Sequence, residues 1–275
     1  YSVEQSSTFH PELSLSKLDN ASTDLSSPRK GIDGTDVLRI SDVSVRVRLH
    51  GSAASKAPYA SVADGDLGLG WEGQRCQGCI LSDLFEHVQN TNIPHSLDAR
   101  TRKFSIMTND TAALLYIGGY DHDTIKGEMV TVPMSGSSYS VNVHSLQVGD
   151  ELSTVEVLNF HEPSKQGFVS GEVDFSQPCL CIPNNDANRT LRESPYERFL
   201  RSKLERGHQF ISVAVQGADG QKHLLRMPGD VCVQPCSSSL VLGDPFFRSF
   251  VVLYDLSDGN HPRFGFGRRK GQEWG

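Results

Sequence analysis

Residues 240–248 read Leu-Val-Leu-Gly-Asp-Pro-Phe-Phe-Arg, a short apolar run that ends in a Gly-Asp turn. Apolar residues also stand beside glycine or aspartate at residues 63–71, 115–121 and 252–255, and residues 264–266 follow the last of these. Short apolar runs bounded by such turn residues are typical of buried β-strands. The pattern therefore predicts a chain built mainly of short strands.

Strand signals continue through the rest of the chain. Residues 138–148 alternate, which places Tyr139, Val141 and Val143 on one face of a strand. The other stretches rich in strand-forming residues are 43–49, 103–108, 113–117, 129–133, 210–215 and 250–254.

Two stretches have the apolar spacing of amphipathic helices instead. Residues 81–89 place Leu81 and Phe85 on one stripe. Residues 195–204 do the same with Phe199, after Ser194 as a predicted N-cap and Pro195 at the first helical position. One short helix in each half of a β-rich chain suggests an internal duplication.

Taken in their order along the chain, the stretches of sequence quoted above resemble motifs of the pepsin family of aspartic peptidases. Residues 240–248 resemble the family's W-I-L-G-D-x-F-L-R, and residues 63–71 resemble F-D-G-I-L-G-L-G. Residues 115–121 resemble L-x-F-G-G-x-D, while 252–255 and 264–266 resemble V-F-D and the terminal V-G-F-A. The resemblance implies a bilobal, all-β, mostly antiparallel fold with a few short helices, lacking its first N-terminal strands. The implied lobes are residues 1–134 and 135–275, with the break near the Ser-Gly-rich end of a strand.

The family's chemistry requires two carboxylates, one from each lobe, that share a proton and activate a water. Each carboxylate lies in a D-[TS]-G turn. In this chain Asp174 and Pro183 match the second of these motifs. Phe175 replaces the hydroxyl residue, Ser176 replaces glycine, and Pro178 replaces a serine, so the support of the carboxylate is expected to be lost. Asp174 is thus a candidate remnant of the second catalytic aspartate.

The first lobe departs further from the family pattern. No D-[TS]-G precedes Ser6, and the letters at residues 33–35 (Asp-Gly-Thr) are predicted to form a turn. Residues 15–22 occupy the place of the flap and contain no tyrosine. Asp66 stands at an apolar position of the family, where it requires either a partner or access to water.

Composition excludes some classes of function. The net charge of −7 argues against nucleic acid as a partner, because phosphate binding requires clustered basic residues. There is no apolar run of about 18 residues, so no membrane span is expected. No metal or cofactor motif is evident, and of the cysteine pairs only Cys76 and Cys79 have zinc-like spacing, without a second such pair.

The cysteines leave their pairing open, whereas the sequons point to the secretory route. Cys179 and Cys181 are too close to bridge each other comfortably, and six cysteines leave fifteen possible pairings open. Sequons for N-glycosylation begin at Asn20, Asn109 and Asn188. With the resemblance, they lead us to expect a secretory or endolysosomal location; an organellar complex stays open.

Three functions follow as hypotheses. The first is a catalytically inactive pepsin-fold protein that serves as a binding or structural subunit. Its partner would be a protein, a peptide in the cleft, or a second chain that supplies the N-terminal strands. The second is the larger fragment of a two-chain aspartic endopeptidase, with Asp174 as one acid and the other on a separate N-terminal segment. The third is a β-rich carbohydrate- or protein-binding module.

Overall fold

The computed structural model describes part of the chain. Backbone and side chains are described at Leu69, Leu81, Phe85 and residues 102–109, 112–136, 139–150, 154–159, 167–184, 193–204, 209–237 and 239–271. The backbone alone is described at residues 10–11, 31–40, 43–52 and 205–206. Contacts between Cα atoms group the chain into two units, Tyr1–Pro94 and His95–Gly275.

In the first unit, three strands form an antiparallel sheet in the order β1-β2-β3. These are β1 (His10–Pro11), β2 (Gly31–Ile40) and β3 (Val43–Ser52). The turn predicted at residues 33–35 is wrong, since this segment lies inside β2. Gly34 pairs with Pro11 on one side and with Leu49 on the other. Pairing on both sides holds the segment extended despite its local turn propensity.

The second unit contains a five-stranded antiparallel sheet in the order β5-β4-β15-β16-β6. Its strands are β4 (Lys103–Thr108), β5 (Ala113–Ile117), β6 (Val130–Pro133), β15 (Phe250–Asp255) and β16 (Arg263–Arg268). The strands predicted at 103–108, 113–117, 129–133 and 250–254 are confirmed to within a residue. The predicted lobe boundary at residues 134 and 135 lies just after β6 and stays a prediction.

An eight-stranded sheet follows in the order β12-β11-β7-β9-β14-β10-β13, with β8 paired to β7. It comprises β7 (Ser140–Gly149), β8 (Thr154–Asn159), β9 (Val169–Val173), β10 (Leu180–Pro183), β11 (Phe210–Gln216), β12 (Lys222–Pro228), β13 (Val233–Cys236) and β14 (Leu240–Leu242). The pairs β9–β14 and β10–β13 are parallel, and the other pairs are antiparallel. A mostly antiparallel, all-β architecture with short helices is thereby confirmed.

Two short α-helices of the second unit are described, α1 (Pro195–Arg206) and α2 (Asp244–Ser249). The start of α1 is a capping box, because Glu197 N donates to Ser194 Oγ over 3.2 Å and Ser194 N donates to Glu197 Oε2 over 2.8 Å. Phe199 is fully buried. In the first unit, Leu81 and Phe85 are helical and buried, as their predicted stripe requires.

The core of the eight-stranded sheet depends on a bulge in β7. Val141 and Val143 are fully buried, as the predicted alternation requires. The register against β11 then shifts, with Val143 opposite Val215 and Ser145 opposite Ala214. An extra residue reverses the side-chain alternation that follows it, so Leu146 and Val148 are also buried.

Candidate functional site

Asp174 lies in a tight turn that begins where β9 ends. Its backbone N donates to the carbonyl of Leu242 in β14 over 3.2 Å, which anchors the turn to the neighbouring strand. Its carbonyl accepts from Gln177 N over 3.2 Å, the i to i+3 bond of a β-turn. Aspartate is favoured at the first position of such turns because its side chain can accept from the backbone two residues later.

The Asp174 carboxylate is held by Ser176. Oδ1 accepts from the backbone N of Ser176 over 2.9 Å and from its hydroxyl over 2.7 Å. The expected loss of support is therefore wrong for this oxygen. Serine at the glycine position supplies a backbone donor and a hydroxyl together. Bonds to the charged form are the stronger kind, so the half-buried carboxylate is held in one orientation.

A glycine closes the back of this turn. Gly243 directly follows β14, which pairs in parallel with β9. A Cβ on Gly243 would lie 2.3 Å from the carbonyl oxygen of Cys179 and 2.5 Å from that of Gln177. Only glycine allows two backbone segments to approach this closely. Asp244 N donates to the Gln177 carbonyl over 2.7 Å and completes the contact.

Phe175 presents an aromatic ring at the surface of the same turn. Phe175 is 44% exposed, and its ring lies 5.8 Å from that of Phe247, edge to face. Phe247 is fully buried in α2 and fixes one side of the exposed ring. The residue that follows the acid is thus an exposed apolar group.

An aromatic cluster of Phe104, Tyr139, Tyr254 and Phe264 packs near the start of this turn. Val173, the residue before Asp174, donates its backbone N to the Tyr139 carbonyl over 2.7 Å. The Tyr139 and Tyr254 rings lie 4.8 Å apart, and Phe104 stacks on Tyr254 at 4.4 Å.

Tyr254 adds an electrostatic contact between this cluster and the acid. Burial raises the pKa of the Tyr254 phenol well above its usual range, and the charges of Tyr139 and Asp174 raise it further. Sequence reasoning did not single this residue out. The sequence signal that could have identified it is that Tyr254 resembles a position where the family's V-F-D motif has phenylalanine.

The aspartate of the Gly-Asp turn, Asp244, is engaged in a structural network. Its Oδ1 accepts from Thr108 Oγ1 over 2.8 Å, and its Oδ2 accepts from Arg248 Nε over 2.5 Å. Arg269 donates to the carbonyls of Thr108 and Arg248, and burial lowers the pKa of its guanidinium. This network ties α2 to the five-stranded sheet.

Two disulfides resolve part of the pairing that the sequence left open. Cys179 bonds to Cys232 and Cys181 bonds to Cys236, with Cα–Cα distances of 4.8 and 5.6 Å. Cys179 and Cys181 find separate partners, as their spacing predicted. Both bonds link the β10 segment to the β13 segment, directly after the Asp174 turn.

Several predicted features lie outside the described residues. They are Ser6, the flap segment 15–22, Asp66, Cys76, Cys79 and the sequons at Asn20 and Asn188. Within the part that is described, no group of three or more His, Cys, Asp or Glu side chains could hold a metal ion. The helices in that part are too short or too polar to cross a membrane.

The two β-sheets of the second unit and the interlocked acid turn define a pepsin-like β-protein. A model of the eukaryotic aspartyl protease family matches residues 1–168, which is more than half of the chain. The chain therefore belongs to the eukaryotic aspartyl protease family. The matched segment ends before Asp174. No curated protein matches the chain.

Proposed function

We propose that this family member binds an extended peptide or protein segment without cleaving it. The observation that carries the proposal is the exposure of Phe175, which is 44% exposed and directly follows Asp174 in the chain. The pepsin-like motif has a small hydroxyl residue at this position. A large ring supported from behind by Phe247 suits an apolar side chain of a partner.

Hydrolysis by this fold requires more than one oriented carboxylate. Two acids share a proton around one water, and neighbouring hydroxyls hold that arrangement in place. At Asp174 both donors come from Ser176 and converge on Oδ1, while Phe175 and Pro178 remove hydroxyl groups of the family motif. The turn therefore keeps its fold, but with different support for the carboxylate.

The alternative function is an active two-chain aspartic endopeptidase. One observation favours it: the Asp174 carboxylate is fixed by two hydrogen bonds from Ser176, as a working acid requires. The second acid would then come from a separate N-terminal segment.

Cleavage and binding can be measured separately on the full chain. An internally quenched peptide library at acidic pH reports cleavage. A fluorescent peptide with a non-cleavable hydroxyl isostere in place of one peptide bond reports binding by anisotropy. We expect binding without cleavage.

The variants test which residues carry the binding. Phe175→Ala should weaken binding about tenfold or more, because a buried aromatic anchor contributes at least about 1.4 kcal/mol. Leu224→Ala truncates a leucine of equal exposure, 44%, in β12 and should leave binding unchanged. Cleavage that disappears in Asp174→Asn would overturn the proposal in favour of the peptidase, and failure to bind the isostere would also contradict it.

A protein partner and a secretory or endolysosomal location belong to the same proposal. Among the described strands β5 pairs only with β4, and it carries Leu114, which is 49% exposed. An edge strand of this kind can accept a strand from a second chain. The family is typically secreted or lysosomal, and the two disulfides favour an oxidising compartment.

A further inference from the structure

We infer, on the basis of the proposed function, that the segment bound at the Asp174 turn is basic as well as apolar. Its apolar residue contacts the exposed ring of Phe175. A lysine or arginine directly beside that residue pairs with the Asp174 carboxylate. Three features of the turn support this: the second carboxylate oxygen of Asp174, the charges around it, and its place next to Phe175.

The Asp174 carboxylate has one oxygen that a partner can engage. Both donors of Ser176 converge on Oδ1, over 2.9 and 2.7 Å, and no described residue donates a hydrogen bond to Oδ2. Because Oδ1 is held by two bonds, the direction of Oδ2 is fixed as well. The carboxylate is half-buried, so water screens its attraction for a cation less than at a fully exposed acid. Such an oxygen suits a charge-assisted hydrogen bond from an ammonium or guanidinium group.

The surroundings of Asp174 add negative charge. Glu172 is exposed in β9, and the next residue, Val173, is buried, so the strand alternation directs Glu172 and Asp174 to the same face. Their Cα atoms are about 7 Å apart at this spacing. Within the described part of the chain, neither carboxylate forms an ion pair with a lysine, arginine or histidine. A cation from a partner therefore meets two acids that no described residue neutralises.

The ring and the carboxylate belong to consecutive residues, so they select neighbouring residues of the partner. The Cα atoms of Asp174 and Phe175 are about 3.8 Å apart, and an extended peptide advances about 3.3 Å per residue. Lysine and arginine can lay their aliphatic stems along apolar surface while the charged group reaches an acid. The net charge of −7 also attracts a basic segment and repels an acidic one at a distance.

Fluorescent peptides separate the charge from the apolar contact. Three peptides contain the same non-cleavable hydroxyl isostere and one leucine, with arginine, citrulline or glutamate on both sides of the leucine. Citrulline keeps the shape of arginine but has no charge. Anisotropy measures the affinity of each peptide for the full chain. The arginine peptide should bind about tenfold more tightly than the citrulline peptide, as expected of a hydrogen bond between charged groups, and the glutamate peptide should bind most weakly. Added salt should reduce these differences.

Matched variants locate the acid that recognises the charge. Asp174→Asn keeps an oxygen that can accept from Ser176 but removes the charge, so most of the preference for arginine over citrulline should be lost. Glu172→Gln should reduce the preference less. Asp258→Asn removes an exposed acid from the turn between β15 and β16 and should leave it unchanged.

The outcomes distinguish this inference from the proposed function. If the arginine and citrulline peptides bind equally well, the inference is overturned while peptide binding stands. A preference for arginine that is undiminished in Asp174→Asn would also overturn it, because the charge would then be recognised elsewhere. If none of the peptides binds, the proposed function is wrong and the inference fails with it.

Discussion

Gly243→Ala tests the contact between the acid turn and the strand behind it. The new Cβ would lie 2.3 Å from the Cys179 carbonyl oxygen and 2.5 Å from that of Gln177, whereas ordinary contacts begin near 3.4 Å. Both neighbouring atoms are backbone, so neither can move away by rotating a side chain. One segment must shift by about 1 Å within a closely packed interior.

The expected cost of this substitution follows from two contributions. Overpacking of an interior costs about 1–3 kcal/mol. The same shift breaks the hydrogen bond from Asp244 N to the Gln177 carbonyl, which contributes about 1 kcal/mol more. We therefore expect Gly243→Ala to lower the free energy of unfolding by about 3 kcal/mol.

Urea denaturation followed by circular dichroism measures this loss. The matched control is Gly220→Ala in the turn between β11 and β12, where φ is +79° and an added Cβ meets nothing within 4 Å. Its cost should be limited to backbone strain, about 1 kcal/mol. A Gly243→Ala variant no less stable than Gly220→Ala would refute the close approach of the two segments.

Three further predictions concern disulfides and titration. Replacing Cys179 and Cys232 together by serine leaves Cys181–Cys236 to close the same long loop, so the free energy of unfolding in urea should fall by only about 2 kcal/mol. Burial raises the pKa of Tyr254 above its usual 10.0, so its stabilisation is complete below pH 10 and is lost as pH rises further. In Tyr254→Phe the denaturation midpoint should fall less steeply as pH rises above 10; an unchanged slope would contradict burial of the Tyr254 phenol. Two hydrogen bonds lower the pKa of the exposed Asp219 carboxyl below 3.8; the larger effect comes from the backbone N–H of Gln221 and the next from His223. Any stabilisation from this carboxylate is therefore lost only as pH falls through the lowered pKa. In an NMR titration His223→Ala should raise the Asp219 midpoint, and an unmoved midpoint would exclude their hydrogen bond.

The sequence predicted the strands whose signal is local. Those at 103–108 and 113–117 combine strand-forming residues with flanking turn residues, and the structure reproduces their bounds. The strands β10 and β13 are only four residues long each and were not predicted. Their conformation comes from neighbours far along the chain, so a short window of sequence contains little signal for it. The same reason explains the segment at residues 33–35, where pairing on both sides overrides a turn pattern.

The candidate site was predictable in position but not in detail. The resemblance matched Asp174 and residues 240–248 to separate family motifs, and the structure brings the Asp174 turn into contact with Leu242 and Gly243. The sequence could not show that Ser176 would supply two hydrogen-bond donors, because that depends on the geometry of the turn. The catalytic role of Asp174 stays a prediction.

The placement of β14 has a consequence for how this protein is made. Residues 240–242 insert between β9 and β10, which a ribosome produces some 60 residues earlier. Until β14 emerges, those two strands lack the neighbour that joins them, and β4 and β6 likewise wait for β15 and β16. Non-local pairing of this kind forms slowly and leaves apolar edges open during synthesis. A nascent chain of this protein should therefore depend on chaperones until its last strands have left the exit tunnel.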